Sequence, residues 1–158
     1  MKKWIVIILS LLTVVVITLF ISIYVIARQP LTSSIEEAVV VAQNDLEMQS
    51  IDDQYIYNGT NSYVVVTGIS RDTEQIVAWI PRDEGEIVTR QLEDGITQDE
   101  VFAMLEQEDS LSKVTSIKLG YESVGPVWEI KYEDQDANLN YYYVLFDTGE
   151  WWRTINNL

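Results

Sequence analysis

A helix cap, a set of strands and a turn recur in this chain at a constant spacing of 64 residues. Asp83-Glu84-Gly85-Glu86 aligns with Asp147-Thr148-Gly149-Glu150, and "IVAWI" (76–80) aligns with "NYYYV" (140–144). Ser62-Tyr63-Val64-Val65-Val66 aligns with Pro126-Val127-Trp128-Glu129-Ile130. The same spacing maps Ser33-x-x-Glu36 onto Thr97-x-x-Glu100. Both have the form of a capping box, in which a hydroxyl and a carboxylate satisfy orphan N–H groups at a helix start. Few residues are identical, so the agreement is one of pattern. It restricts the fold to two copies of one small unit.

Each copy reads as a helix followed by strands. The helices fall at 34–45 and 98–107, the second with Val101, Phe102 and Leu105 at helical spacing. The first is rich in Val, which lowers its propensity and leaves packing to hold it. Strands are expected near 51–57, 62–69, 75–80 and 86–91, then near 114–121, 127–132, 139–146 and 151–154. Polar stretches such as Asn58-Gly59-Thr60-Asn61 and Asp134-Gln135-Asp136-Ala137-Asn138 punctuate them. Trp128, Ile130 and Tyr132 share one strand face, with Glu129 and Lys131 on the other, so the Trp128 face is expected to lie under the helix. A unit of about 60 residues is marginal alone, and two packed together bury more.

Residues 4–26 carry no charge, and 23 residues of helix exceed the roughly 30 Å hydrocarbon core of a bilayer. Ser10, Thr13, Thr18 and Ser22 are compatible with lipid when their hydroxyls bond back to the helix. Lys2 and Lys3 precede the run, which puts the N-terminus in the cytoplasm and the remainder outside. A cleaved signal peptide is the competing reading, but its apolar region is usually about 7–15 residues. Arg28-Gln29-Pro30 reads as a short linker, because Pro disfavours helix at the residue before it. The expected organisation is a cytoplasmic stub and membrane anchor over 1–28, a first unit over 29–92 and a second over 93–158.

The chain has no Cys and no His. Disulfides, thiolate nucleophiles, a lipoprotein anchor and imidazole chemistry are therefore excluded. After residue 28 there are seven basic side chains against all 25 acidic ones, a net of −18. Such a surface repels nucleic acid and anionic headgroups.

Asp147-Thr148-Gly149 after an apolar run resembles the catalytic loop of an aspartic protease, and the repeat supplies a second carboxylate, Asp83. The first copy lacks the hydroxyl, however, and Glu follows Gly in both copies. Tight-turn chemistry is the better reading: Asp bonds its own main chain and Gly takes φ > 0. Asp134-x-Asp136-x-Asn138 resembles the opening of a calcium loop. Leu139 and Leu145 stand where that loop needs Gly and Glu, so a hairpin loop is expected and no metal or cofactor. Asn58-Gly59-Thr60 matches a glycosylation acceptor but is equally turn chemistry, and "GYESVG" (120–125) lacks the Lys and helix of a phosphate loop. The acidic run over 93–109 reads as the solvated face of the second helix. Tyr142 must point opposite to Tyr141 and Tyr143, as Trp151 must to Trp152, so one set covers the helix-facing core and the other faces the second copy, solvent or a partner. Tyr142, Trp151, Trp152 and Trp79 are the candidate partner-binding residues.

"YVVVTG" with "VAWIPRDEGEIV", "GITQDEVFAML", and "VWEIKY" with "YYYVLFDTGEWW" resemble, in order and spacing, the TseB-type cell wall elongation regulators of Gram-positive bacteria. The resemblance covers nearly the whole chain, including the anchor. It implies an α+β fold of two tandem PepSY-like units, each one helix packed on a small antiparallel sheet, behind an N-terminal transmembrane helix. It also implies a non-enzymatic, extracytoplasmic protein whose partner is a membrane-anchored class B penicillin-binding transpeptidase. Other roles it leaves open are modulation of a secreted peptidase and sensing of a ligand or wall fragment. The resemblance carries no binding residue across.

Overall fold

The computed structural model describes residues 2–108 and 111–156. Helix α1 (Lys2–Asn44) precedes strands β1 (Ser50–Asn58), β2 (Ser62–Ile69), β3 (Gln75–Pro81) and β4 (Val88–Gln91). A short 3-10 turn (Leu92–Asp94) leads to helix α2 (Gln98–Glu108) and strands β5 (Leu111–Glu122), β6 (Gly125–Asp134), β7 (Leu139–Leu145) and β8 (Trp151–Ile155). The strands form two antiparallel sheets in sequential order, β1-β2-β3-β4 (sheet A) and β5-β6-β7-β8 (sheet B). Each sheet follows one helix, and corresponding strands lie roughly 64 residues apart, in keeping with the repeat.

The linker expected at residues 28–30 does not interrupt the helix: α1 runs unbroken through Pro30. Pro removes one intrahelical hydrogen bond, but the segments on both sides are strongly helical for independent reasons. Upstream, Trp4, Leu11, Phe20 and Ile26 are exposed all round the helix, which is long and apolar enough to cross a membrane. Ser10, Thr13, Thr18 and Ser22 each bond a carbonyl three or four residues back, at 2.8–2.9 Å. Downstream, Ala38 and Ala42 are buried against sheet A. Continuity also removes the expected cap at Ser33, because residues inside a helix have no orphan N–H groups to satisfy. The second capping box does form. Thr97 donates through N–H and O–H to Glu100 Oε2 at 2.8 and 2.7 Å, and the Glu100 N–H returns a bond to Thr97 Oγ1 at 3.3 Å.

Alternation along the strands gives sheet A two apolar faces. Val64, Val66, Ala78 and Ile80 lie under α1 with Met48. Tyr57, Tyr63, Val65, Val77 and Trp79 face the second unit and join its core. In sheet B, Trp128, Ile130, Tyr132, Tyr142 and Val144 pack with Val101 and Leu105 of α2, so the Trp128 face does lie under the helix. The joint is aromatic. The Trp79 ring lies 6.2 Å from Tyr121 and 6.1 Å edge-on from Phe146, and Tyr63 lies 4.9 Å from Tyr121.

Sheet A also clasps sheet B at its edge. β5 is an edge strand, so backbone groups on its outer side have no strand to bond. The Tyr55 hydroxyl donates to the Leu119 carbonyl and accepts from the Leu119 N–H, both at 3.0 Å. Beyond it, Tyr57 lies flat on Gly120, where a Cβ would stand 2.3 Å from the ring. Tyr57 donates to the buried Glu122 carboxylate at 2.8 Å, which also accepts from Thr60 O–H and N–H at 2.7 and 3.2 Å. Tyr55→Phe is expected to leave two backbone groups unsatisfied and cost about 1–3 kcal/mol, read as a lower urea midpoint for the full chain in detergent. Gly120→Ala is expected to cost about 1–3 kcal/mol by overpacking, checked by the same melt.

Candidate binding face

Sheet B uses one face for its core, and its other face is covered at one end only, by the β1–β2 hairpin with Tyr57 and Thr60. The register builds that free face as rows crossing all four strands. Lys118 pairs with Glu129, Glu129 with Tyr143, and Tyr143 with Arg153. In the next row Ser116 pairs with Lys131, Lys131 with Tyr141, and Tyr141 with Ile155. A bulge between β7 and β8 brings Trp152 beside Arg153.

Cations and rings interleave on this surface. The Arg153 guanidinium carbon lies 4.8 Å from the Tyr143 ring centre and 4.3 Å from that of Trp152. Lys131 Nζ lies 5.6 Å over Tyr141, and Lys118 Nζ lies 5.0 Å over Tyr55. Tyr141 and Tyr143 are nearly parallel at 6.4 Å, and Trp152 meets Tyr143 edge-on at 5.7 Å. Contacts of this kind are worth about 0.5–2 kcal/mol each and hold the cations in fixed positions. Tyr143 donates to Glu129 Oε2 at 2.9 Å, which occupies the one carboxylate in the central row.

The candidate residues separate clearly. Trp79 is fully buried and Tyr142 is 5 % exposed, so both serve the core and neither offers surface to a partner. Trp151 is 58 % exposed, and its indole N–H donates to Thr154 Oγ1 at 3.0 Å. Trp152 is half-buried beside Arg153. Tyr141, Tyr143, Lys131 and Arg153 were not singled out by sequence reasoning. The opposition of Tyr142 to its neighbours was legible; which set faced outward depended on the side that α2 covers.

The other motifs resolve into scaffold. Residues 145–150 form a hairpin turn, with Gly149 at φ 71° and its N–H bonded to the Leu145 carbonyl at 2.9 Å. Asp147 does not bond its own main chain as expected, but accepts from Arg90 Nε at 3.2 Å, a part-exposed ion pair. Asp83 is exposed. The Asp134 carboxylate accepts from the Asp136 and Asn138 N–H groups and the Asn138 and Asn140 amides. These bonds, those from Asn138 foremost, hold its pKa below the ordinary value. Among the described residues no group of acidic side chains is arranged to hold a metal. At Asn58-Gly59-Thr60, both hydroxyl and amide are engaged: Thr60 O–H donates to Glu122, and Asn58 Oδ1 accepts from Ser62.

Residues 37–81, from the last turns of α1 through β3, match the cell wall elongation regulator TseB-like domain. Over that segment the chain is similar to the TseB-like domain. It is 26 % identical over 116 residues to the probable cell wall elongation regulator TseB of Bacillus subtilis (strain 168), covering 73 % of this chain and 72 % of that one. A solved structure of the YpmB protein from Bacillus subtilis superposes with a TM-score of 0.71 at 25 % identity, covering 77 % of this chain and 95 % of that one. The resemblance to the TseB-type family is borne out. The TseB-like segment includes the helix-covered face of sheet A and the two tyrosines that clasp β5; the open face lies beyond it.

Three tyrosines at the junction are held neutral. Burial pushes Tyr55, Tyr57 and Tyr143 upward, and for Tyr57 and Tyr143 the nearby Glu129 charge adds to it. Below the ordinary value of 10.0 the phenols are neutral in folded and unfolded chains alike, so the fold keeps this contribution in full. Above it the unfolded chain ionises and the fold does not, so stability falls as pH rises. In an absorbance titration at alkaline pH, Tyr55, Tyr57 and Tyr143 are expected to ionise only as the chain unfolds.

Proposed function

We propose that this chain is a membrane-anchored, extracytoplasmic, non-enzymatic regulator of cell wall elongation that works by binding a class B penicillin-binding protein. Residues 1–28 serve as stub and anchor, and 29–92 and 93–158 as two PepSY-like units. The observation that carries the reading is the similarity, over 116 residues, to a protein named for regulating cell wall elongation rather than for a reaction. The long apolar helix supports the anchor, and Lys2 and Lys3 before it support an extracytoplasmic orientation of the rest.

The unbroken helix sharpens the geometry. From Ile26, at the end of the uncharged run, to Ile35, which packs against sheet A, nine residues of helix rise about 13–14 Å. The unit therefore stands just above the bilayer on a stiff post. Confinement to one membrane raises the effective concentration of a membrane-anchored partner, so modest interface chemistry suffices. A non-catalytic role accords with Asp147 being held by Arg90.

Deleting the gene is expected to change cell length or width and β-lactam sensitivity. Crosslinked co-purification is expected to recover a penicillin-binding transpeptidase. Recovery of a secreted protease instead would favour a peptidase modulator. The double variant Asp83→Asn with Asp147→Asn is expected to rescue the wall defect of the deletion; its failure to do so, with the chain folded and present at normal level, would favour carboxylate catalysis.

A further inference from the structure

We propose that the open face of sheet B is a docking surface for an acidic segment of a partner protein, read by Arg153, Lys131 and Lys118. This rests on the reading that the chain acts by binding a protein, and it names the chemistry of that partner.

Charge placement is the first observation. Four of the seven basic residues beyond the apolar segment share this face by strand alternation: Lys113, Lys118, Lys131 and Arg153. Three carboxylates share it, Glu122, Glu129 and Glu133, which leaves the face at about +1 and the rest at −19. This face is therefore the least acidic part of a strongly acidic domain, and an acidic partner meets less repulsion here than elsewhere.

The second observation is that these cations have no carboxylate partner. Arg71 pairs with Glu47, Arg90 with Asp147, and Arg82 donates to Ser62 and Ser34. Among the described residues, none of the four on the open face has a carboxylate within ion-pair distance, although Glu129 is opposite Lys118 in the register. Glu129 and Glu122 are instead engaged by tyrosine and threonine hydroxyls. Arg153 also lies against two rings, Tyr143 and Trp152, which restrict its guanidinium before any partner arrives.

The third observation selects a protein over a sugar or a polyanion. The Tyr143 ring is 5 % exposed and already covered by Arg153, Trp152 and Tyr141, so it offers no free face for a sugar to stack on. A net charge of about +1, broken by Glu129 and Glu133, is too weak to hold a phosphate polymer against the surrounding field. Fixed Arg, Tyr and Trp beside half-buried Leu145 and Ile155 are instead the composition of a protein interface.

The test uses the full chain in its own membrane, with a photo-crosslinking amino acid replacing Ile155 on the open face or, separately, Glu106 on α2. Support is a protein crosslink from position 155 whose joined peptide, identified by mass spectrometry, is rich in Asp or Glu. Arg153→Glu with Lys131→Glu is then expected to lower its yield by at least about tenfold. Lys118→Glu, at an exposed position, is expected to lower it without touching the ring cluster, and thermal melting monitors the fold of each variant. A joined peptide without carboxylates, a crosslink to a sugar or phosphate polymer, or a yield indifferent to charge reversal overturns the proposal. Protein capture from position 106 alone overturns it while leaving the protein-binding reading standing; capture from neither overturns both.

Discussion

The ring cluster around Trp79, Tyr121 and Phe146 joins the two sheets into one core, and the exposed surface follows from it. Sheet A has two faces, and both are used: one packs under α1, the other against the second unit. Sheet B meets α2 and the ring cluster of sheet A with one face, and its opposite face has no helix to cover it, only the β1–β2 hairpin at one end. Two similar units thus acquire different roles from packing alone. The first is enclosed and held to α1; the second carries the free surface.

The edge between the sheets is handled by side chains rather than by strand pairing. Tyr55 supplies both a donor and an acceptor to Leu119, so that residue of the β5 edge is satisfied without a fifth strand. Tyr57 then reaches across Gly120 to a buried carboxylate that Thr60 also holds. Desolvation keeps these phenols protonated, which is the state the hydrogen bonds need. The same hydroxyl chemistry at Tyr143 engages Glu129 and leaves the neighbouring cations without carboxylate partners.

Much of the fold was legible because the signals were local and doubled. Strand β2 falls at 62–69 as expected, and the capping box at Thr97 forms as its spacing implied. The joint at Pro30 was misread because its rule is local. A Pro weighs against helix, but here an apolar run on one side and buried alanines on the other carry the helix through. Of the candidate partner residues, Trp79 and Tyr142 went to the core, because an aromatic residue in a strand gives no sign of which side its helix will take. Arg153 escaped notice because its place opposite Tyr143 depends on a bulge that strict alternation does not contain.

Composition and periodicity by themselves determined a histidine-free, cysteine-free, acidic chain, an apolar helix long enough to cross a membrane, and two copies of a helix-and-strands unit 64 residues apart. Those properties are carried by each residue and its near neighbours in the chain. Tertiary structure alone decided that both units share one aromatic core, that one sheet face stays open, and that cations without a carboxylate partner collect on it. Register and the side taken by a helix bring together residues from four strands, and no window of sequence holds them at once.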